Sequence, residues 1–73
     1  MRKFLIVIEK SSNGFGAYSP DLPGCVAVGK TKKEVEQKMY EAINFHIEGL
    51  LEDGLPIPKN ESIAEFMVLP EAV

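Results

Sequence analysis

The chain places apolar residues at every position from Phe4 to Ile8, inside a β-branched stretch running from Lys3 to Lys10. Side chains alternate along a strand, so Phe4, Ile6 and Ile8 face one way and Leu5 and Val7 the other. A strand apolar on both faces predicts a central position with cover on each side. Ser11-Ser12-Asn13-Gly14 follows as a hairpin turn, because Asn-Gly tolerates the positive φ that tight turns demand. Phe15 to Ser19 then reads as a second strand. Pro20-Asp21-Leu22-Pro23-Gly24 is the second break, with an Asp able to bond its own backbone and a Gly free to take an unusual φ. Cys25 to Val28 is a third strand, ending at Gly29.

The pattern then changes period. Val35, Met39, Ala42, Ile43, His46 and Leu50 recur at helical spacing and predict one apolar stripe on a helix from Thr31 to Asp53. Thr31 followed three residues later by Glu34 is a capping box. Gly54 sits where a left-handed C-terminal cap belongs, with Leu55 poised to pack on Leu50, and Pro56 and Pro58 prevent continuation. Ile63 to Leu69 reads as a fourth strand stopped by Pro70.

The order β-β-β-α-β predicts an α+β fold in a single domain, residues 1–73. Two hairpins make strands 1 to 3 antiparallel neighbours. A right-handed crossover through the helix places strand 4 beside strand 1, giving a mixed four-stranded sheet of order 3-2-1-4. One helix covers one face only. Strand 1 offers apolar side chains to both, so the second face is expected to meet a partner or another copy, making the chain a homo-oligomer, a dimer in the simplest case.

Composition sharpens this. A chain of 73 residues buries a marginal core, and a single cysteine cannot form an internal disulfide. The net charge is -3, divided as +3 over residues 1–38 (seven Lys/Arg, four Asp/Glu) and -6 over residues 39–73 (one Lys, seven Asp/Glu). An acidic half steers a basic partner and disfavours nonspecific nucleic-acid binding. The apolar run at Phe4–Ile8 is too short to span a bilayer or serve as a signal-peptide core, so a cytoplasmic location and no membrane partner are expected.

Little here points to catalysis. His46, the only histidine, lies in the helical stripe without companions, and Cys25 has no guaranteed activating neighbour. Glu9, Asp21 and Glu65 lie in or near strands at spacings that promise no metal cluster. No catalytic residue, metal or cofactor is expected. Lys30, Lys32 and Lys33 surround the helix start, where an anion is favoured, and leave open a stand-alone RNA- or nucleotide-binding module. The prolyl segment is the most distinctive stretch. As a rigid exposed loop it nominates Tyr18, Pro20, Asp21, Leu22 and Pro23 for partner contact.

Three motifs converge on one family. Tyr18-Ser-Pro-Asp-Leu-Pro-Gly-Cys25 resembles the D-L-P-G-C signature of the HicB antitoxins. Gly29-Lys-Thr-Lys-Lys-Glu34 resembles their G-x-T-x-x-E helix start, and Glu52-Asp-Gly-Leu-Pro-Ile-Pro58 their E-D-G-x-P-I-P exit. The resemblance implies a partial RNase H-like fold and a non-enzymatic antitoxin. Such a chain neutralises a small, basic, mRNA-cleaving HicA-type toxin by covering its RNA-binding and catalytic surface. Many members add a C-terminal DNA-binding module. The four residues after Leu69 hold no recognition helix, so a short form without direct DNA binding is expected.

Overall fold

A computed structural model describes residues 2–71. Strands β1 (Val7–Ser11), β2 (Gly14–Tyr18) and β3 (Val26–Gly29) precede one helix, α1 (Lys32–Glu52). The strands form an antiparallel sheet of order β1-β2-β3. The hairpin closes on the pair Ser11–Gly14, with Ser12 and Asn13 as its two-residue turn. The three antiparallel strands and the helix agree with the α+β expectation.

The helix ends where its capping residues dictate. Thr31 Oγ1 accepts the Glu34 N–H at 3.0 Å, and Glu34 Oε1 accepts the Lys30 N–H at 2.7 Å, one residue earlier than in the usual reciprocal box. At the other end the Gly54 N–H donates to Leu51 O (3.2 Å) and the Leu55 N–H to Leu50 O (2.9 Å). That is a Schellman cap, and Gly54 supplies the left-handed residue at φ 65°.

Paired residues across a sheet share a face. Ile8, Ala17 and Ala27 form one such row, and this face receives the helix. The core is Ala17, Leu22, Cys25, Val35 and Met39, flanked by Phe4, Ile6, Ile8, Phe15, Ala27, Ala42 and Ile43. Leu22, Val35 and Met39 are sealed from solvent. Burying each contributes about 1.5–3 kcal/mol.

The expected fourth strand does not form, and among the described residues the sheet has three strands. Residues 63–69 join no ladder and are exposed along most of their length. The cause lies just before them. Asn60 Oδ1 accepts the Leu5 N–H (2.7 Å), and Asp21 Oδ2 accepts the Glu61 and Ser62 N–H groups (3.1 and 3.0 Å). Side chains thus fix residues 60–62 at the head of β1 and at the prolyl loop, on the side of β1 that β2 already occupies. Between Asn60 and Ser62 the chain crosses from the head of β1 to the loop beyond β2. It reaches Ile63 on the paired side of β1. As a result β1 is an edge strand, not the central one its sequence suggests.

Candidate functional site

The second sheet face is bare. Val7, Tyr18 and Val26 lie in one cross-strand row and Glu9, Gly16 and Val28 in the next. Among the described residues no strand or helix packs on this face: Tyr18 is 40% exposed, Val26 64% and Val28 71%, with Val7 and Gly16 half-buried. Leu5, by alternation, extends the same face beyond β1. An apolar patch rimmed by polar residues is a common mark of a protein interaction surface. The share of strand 1 in this face is legible in the sequence. The larger share of Val26 and Val28 is less so, although two valines flanking the smaller Ala27 already place the bulk on one side.

The prolyl loop borders this face. It is built from two successive turns, closed by Leu22 N–H to Ser19 O and Cys25 N–H to Leu22 O, each 3.1 Å. In the second turn Pro23 precedes Gly24 at φ 82°, the type II arrangement that requires glycine. This folding divides the five nominated residues. Tyr18, Pro20 and Pro23 are exposed. Leu22 is turned inward and fully buried, and Asp21 is half-buried with its carboxylate accepting three hydrogen bonds from Glu61 and Ser62. Asp21 therefore ties the loop to a segment 40 residues distant instead of bonding its own turn. The buried Ser19 hydroxyl donates to Leu5 O at 2.8 Å and holds the start of strand 1 against the loop.

The helix ends carry opposite charge, both against the helix dipole. Glu48, Glu52 and Asp53 crowd the C-terminus, and the last turn contains no basic residue. Since a helix C-terminus is itself partly negative, this end is strongly attractive to cations. At the N-terminus, Lys32 pairs with Glu36 (3.1 Å) and Lys38 lies 4.0 Å from Glu34. The Glu34 carboxylate also occupies the Lys30 amide. The lysines nominated for nucleic acid are thus interleaved with carboxylates rather than gathered in a basic patch.

Cys25 and His46 line one shallow groove beside Phe45 and Leu50. Burial pushes the Cys25 thiol up from its ordinary value, the reverse of an activated nucleophile. Among the described residues no group of three or more His, Cys, Asp or Glu side chains could hold a metal ion. No helix among them is long and apolar enough to cross a membrane. A further groove runs between α1 and the segment leading into β1, about 610 Å³ in volume, lined by Phe4, Ile6, Met39, Tyr40, Ile43 and Ile47 among others. The helical stripe placed Met39 and Ile43 on this side. Tyr40 and Ile47 lie outside the stripe as read.

Comparison with known proteins decides among these surfaces' possible contexts. The family described as "HicB_like antitoxin of bacterial toxin-antitoxin system" matches residues 4–72. The chain belongs to the HicB-like antitoxin family. It is 44% identical over 66 residues to the "Uncharacterized 14.9 kDa protein in rep-hol intergenic region" of Haemophilus phage HP1, covering 90% of this chain and 50% of that protein. The chain thus spans about half the length of this phage relative. A "UPF0150 protein" of Helicobacter pylori is 42% identical over 64 residues, covering 85% of this chain and 89% of its own length. Among solved structures, a chain of a "HicA3 and HicB3 toxin-antitoxin complex" superposes with a TM-score of 0.64 and 34% identity. The match covers 81% of this HicB-like chain and 72% of that one. The three motifs of the sequence all fall inside the matched family region.

Proposed function

We propose that this HicB-like chain is a non-enzymatic antitoxin that binds a small, basic HicA-type toxin in the cytoplasm and covers its RNA-binding and catalytic surface. The carrying observation is the sheet face on which Tyr18, Val26 and Val28 stand exposed beside the half-buried Val7. Its exposed valines spend apolar surface on solvent, which a fold with so small a core tolerates only where something else docks. Tyr18 joins this face to Pro20 and Pro23 of the prolyl loop, so one continuous surface offers an aromatic anchor, apolar floor and rigid rim. The acidic C-terminal end of α1 adds long-range attraction for a basic partner. The partial RNase H-like fold that the family resemblance implies would not by itself bring hydrolytic activity.

Co-expression tests this reading. Production of a small basic HicA-type toxin should arrest growth, and this chain should restore it. Val26→Glu with Val28→Glu should abolish the rescue while the circular-dichroism spectrum stays unchanged. Full rescue by that double variant would remove the sheet face from the mechanism.

A further inference from the structure

The segment after the prolyl exit is the least explained part of the molecule. Ile63 is 84% exposed, Phe66 102%, Met67 79%, Val68 91% and Leu69 74%. Taken as a strand, Ile63, Met67 and Leu69 lie on one side and Ala64, Phe66 and Val68 on the other. The Ala64, Phe66 and Val68 side is wholly apolar, a pattern suited to burial, while the other side also carries Glu65. The segment also projects: α1, at 21 residues, spans roughly 32 Å, whereas the long axis of the molecule is 55 Å.

The matching surface is on the same molecule. β1 forms the sheet edge, and among the described residues its main-chain groups on that side pair with no strand. At the N-terminal end of that edge, where the chain leads into β1, lies the groove of Phe4, Ile6, Met39, Ile43 and Ile47. A chain cannot reach its own groove from Ile63, because the Asn60–Leu5 and Ser62–Asp21 bonds carry it across the head of β1 toward the β2–β3 loop. An unpaired edge next to an unpaired apolar strand is a template for intermolecular pairing.

We propose that two copies exchange residues 63–69, each segment adding to the free β1 edge of the other copy and filling the groove beneath α1. The occupant is a second copy because the same chain supplies both halves of the fit. The anchored residues 60–62 and the prolines Pro56 and Pro58 hold the segment's root rigidly while its tip departs. Reciprocal exchange closes both edges at once by a two-fold axis, whereas one-way addition would leave an open edge and grow. On the groove-facing side Phe66 and Val68 of each copy, four side chains in a pair, leave solvent in one step. The added strand's second face would widen the bare sheet face without covering it, so exchange and toxin binding are independent.

The test uses the full chain. Sedimentation should give a dimer, and a sample mixing ¹³C-labelled with unlabelled chains should show contacts from the Phe66 and Val68 side chains to Ile6 or Ile43 of the other chain. Met67→Pro removes a ladder N–H and should yield a monomer whose helical signal is retained, since residue 67 is 79% exposed in the single copy. Phe66→Asp should weaken the dimer at least about thirtyfold, the loss typical of a truncated interface anchor. A monomeric native protein, contacts arising only within one chain, or a dimer that survives Met67→Pro and dissolves on Val28→Glu would each overturn the proposal.

Discussion

Replacing Asp21 by Ala isolates the contact that sets the course of the C-terminal segment. Its carboxylate accepts the Glu61 N–H at 3.1 Å, the Ser62 N–H at 3.0 Å and the Ser62 hydroxyl at 3.2 Å. Hydrogen bonds to a charged group contribute about 1.5–3 kcal/mol each in well-buried sites. Here the Glu61 contact is exposed and the Ser62 contacts are half-buried, so most of the effect rests on Ser62. Allowing for solvent competition, the three together should contribute about 2 kcal/mol. In a chain of this size each kcal/mol moves Tm by about 4–8 °C, so Asp21→Ala should lower Tm by roughly 8–16 °C. Asp21→Asn can rotate to keep neutral versions of the same bonds and should lose about half as much. Amide hydrogen exchange reads the site directly. Exchange at Ser62 should quicken about twenty- to thirtyfold on Asp21→Ala, while Val35 and Met39 follow the global change. An unchanged Ser62 rate together with a Tm shift under about 2 °C would refute the anchoring role.

Other outcomes follow from the same geometry. Glu48→Lys with Glu52→Lys replaces carboxylates at a helix C-terminus by cations and should stabilise the fold by about 1 kcal/mol at low salt, by thermal melting. The same pair should slow association with a basic toxin, a loss that disappears at high salt. Gly54→Ala forces a side chain into the left-handed region at φ 65° and should destabilise by about 1–2 kcal/mol in urea titration. The Cys25 thiol is raised above 9.0 by burial, so the folded chain holds that proton more tightly than the unfolded one. Its contribution is complete below pH 9.0 and is lost as pH climbs from there through the higher folded value. Native stability measured against Cys25→Ala should accordingly narrow over that alkaline window and stay level below it.

Local signals are the legible ones. The helix from Thr31 to Asp53 is readable to its caps because threonine, glutamate and glycine act on amides within a few residues of themselves. The Asn13-Gly14 pair signals the first hairpin, whose turn residues are Ser12 and Asn13, and places β1 beside β2. The apolar character of strand 1 on both sides points to a second face, which the structure leaves bare. The fourth strand fails for a nonlocal reason. Its apolar composition is strand-like, but its pairing depends on Asp21 and Asn60 bonding residues 40 and 55 positions away in sequence. No pattern in residues 63–69 records that. Leu22 likewise reads as a surface residue because two prolines bracket its turn. The successive turns at Ser19–Leu22 and Leu22–Cys25 instead direct its side chain into the core. A lone leucine among turn formers is the available sign.

If the exposed sheet face of this HicB-like chain seals a toxin, its outward valines carry the binding. Calorimetric titration of the purified small basic toxin with this chain, run beside an mRNA-cleavage assay of the same mixtures, tests it most directly. Val28→Glu is the decisive variant, because a side chain 71% exposed can change with little effect on folding, within about 0.5 kcal/mol. The native chain should bind and silence cleavage at stoichiometric ratio, and Val28→Glu should weaken binding at least about thirtyfold and leave cleavage running. Equal binding and equal protection of the mRNA by the native chain and Val28→Glu would contradict the account.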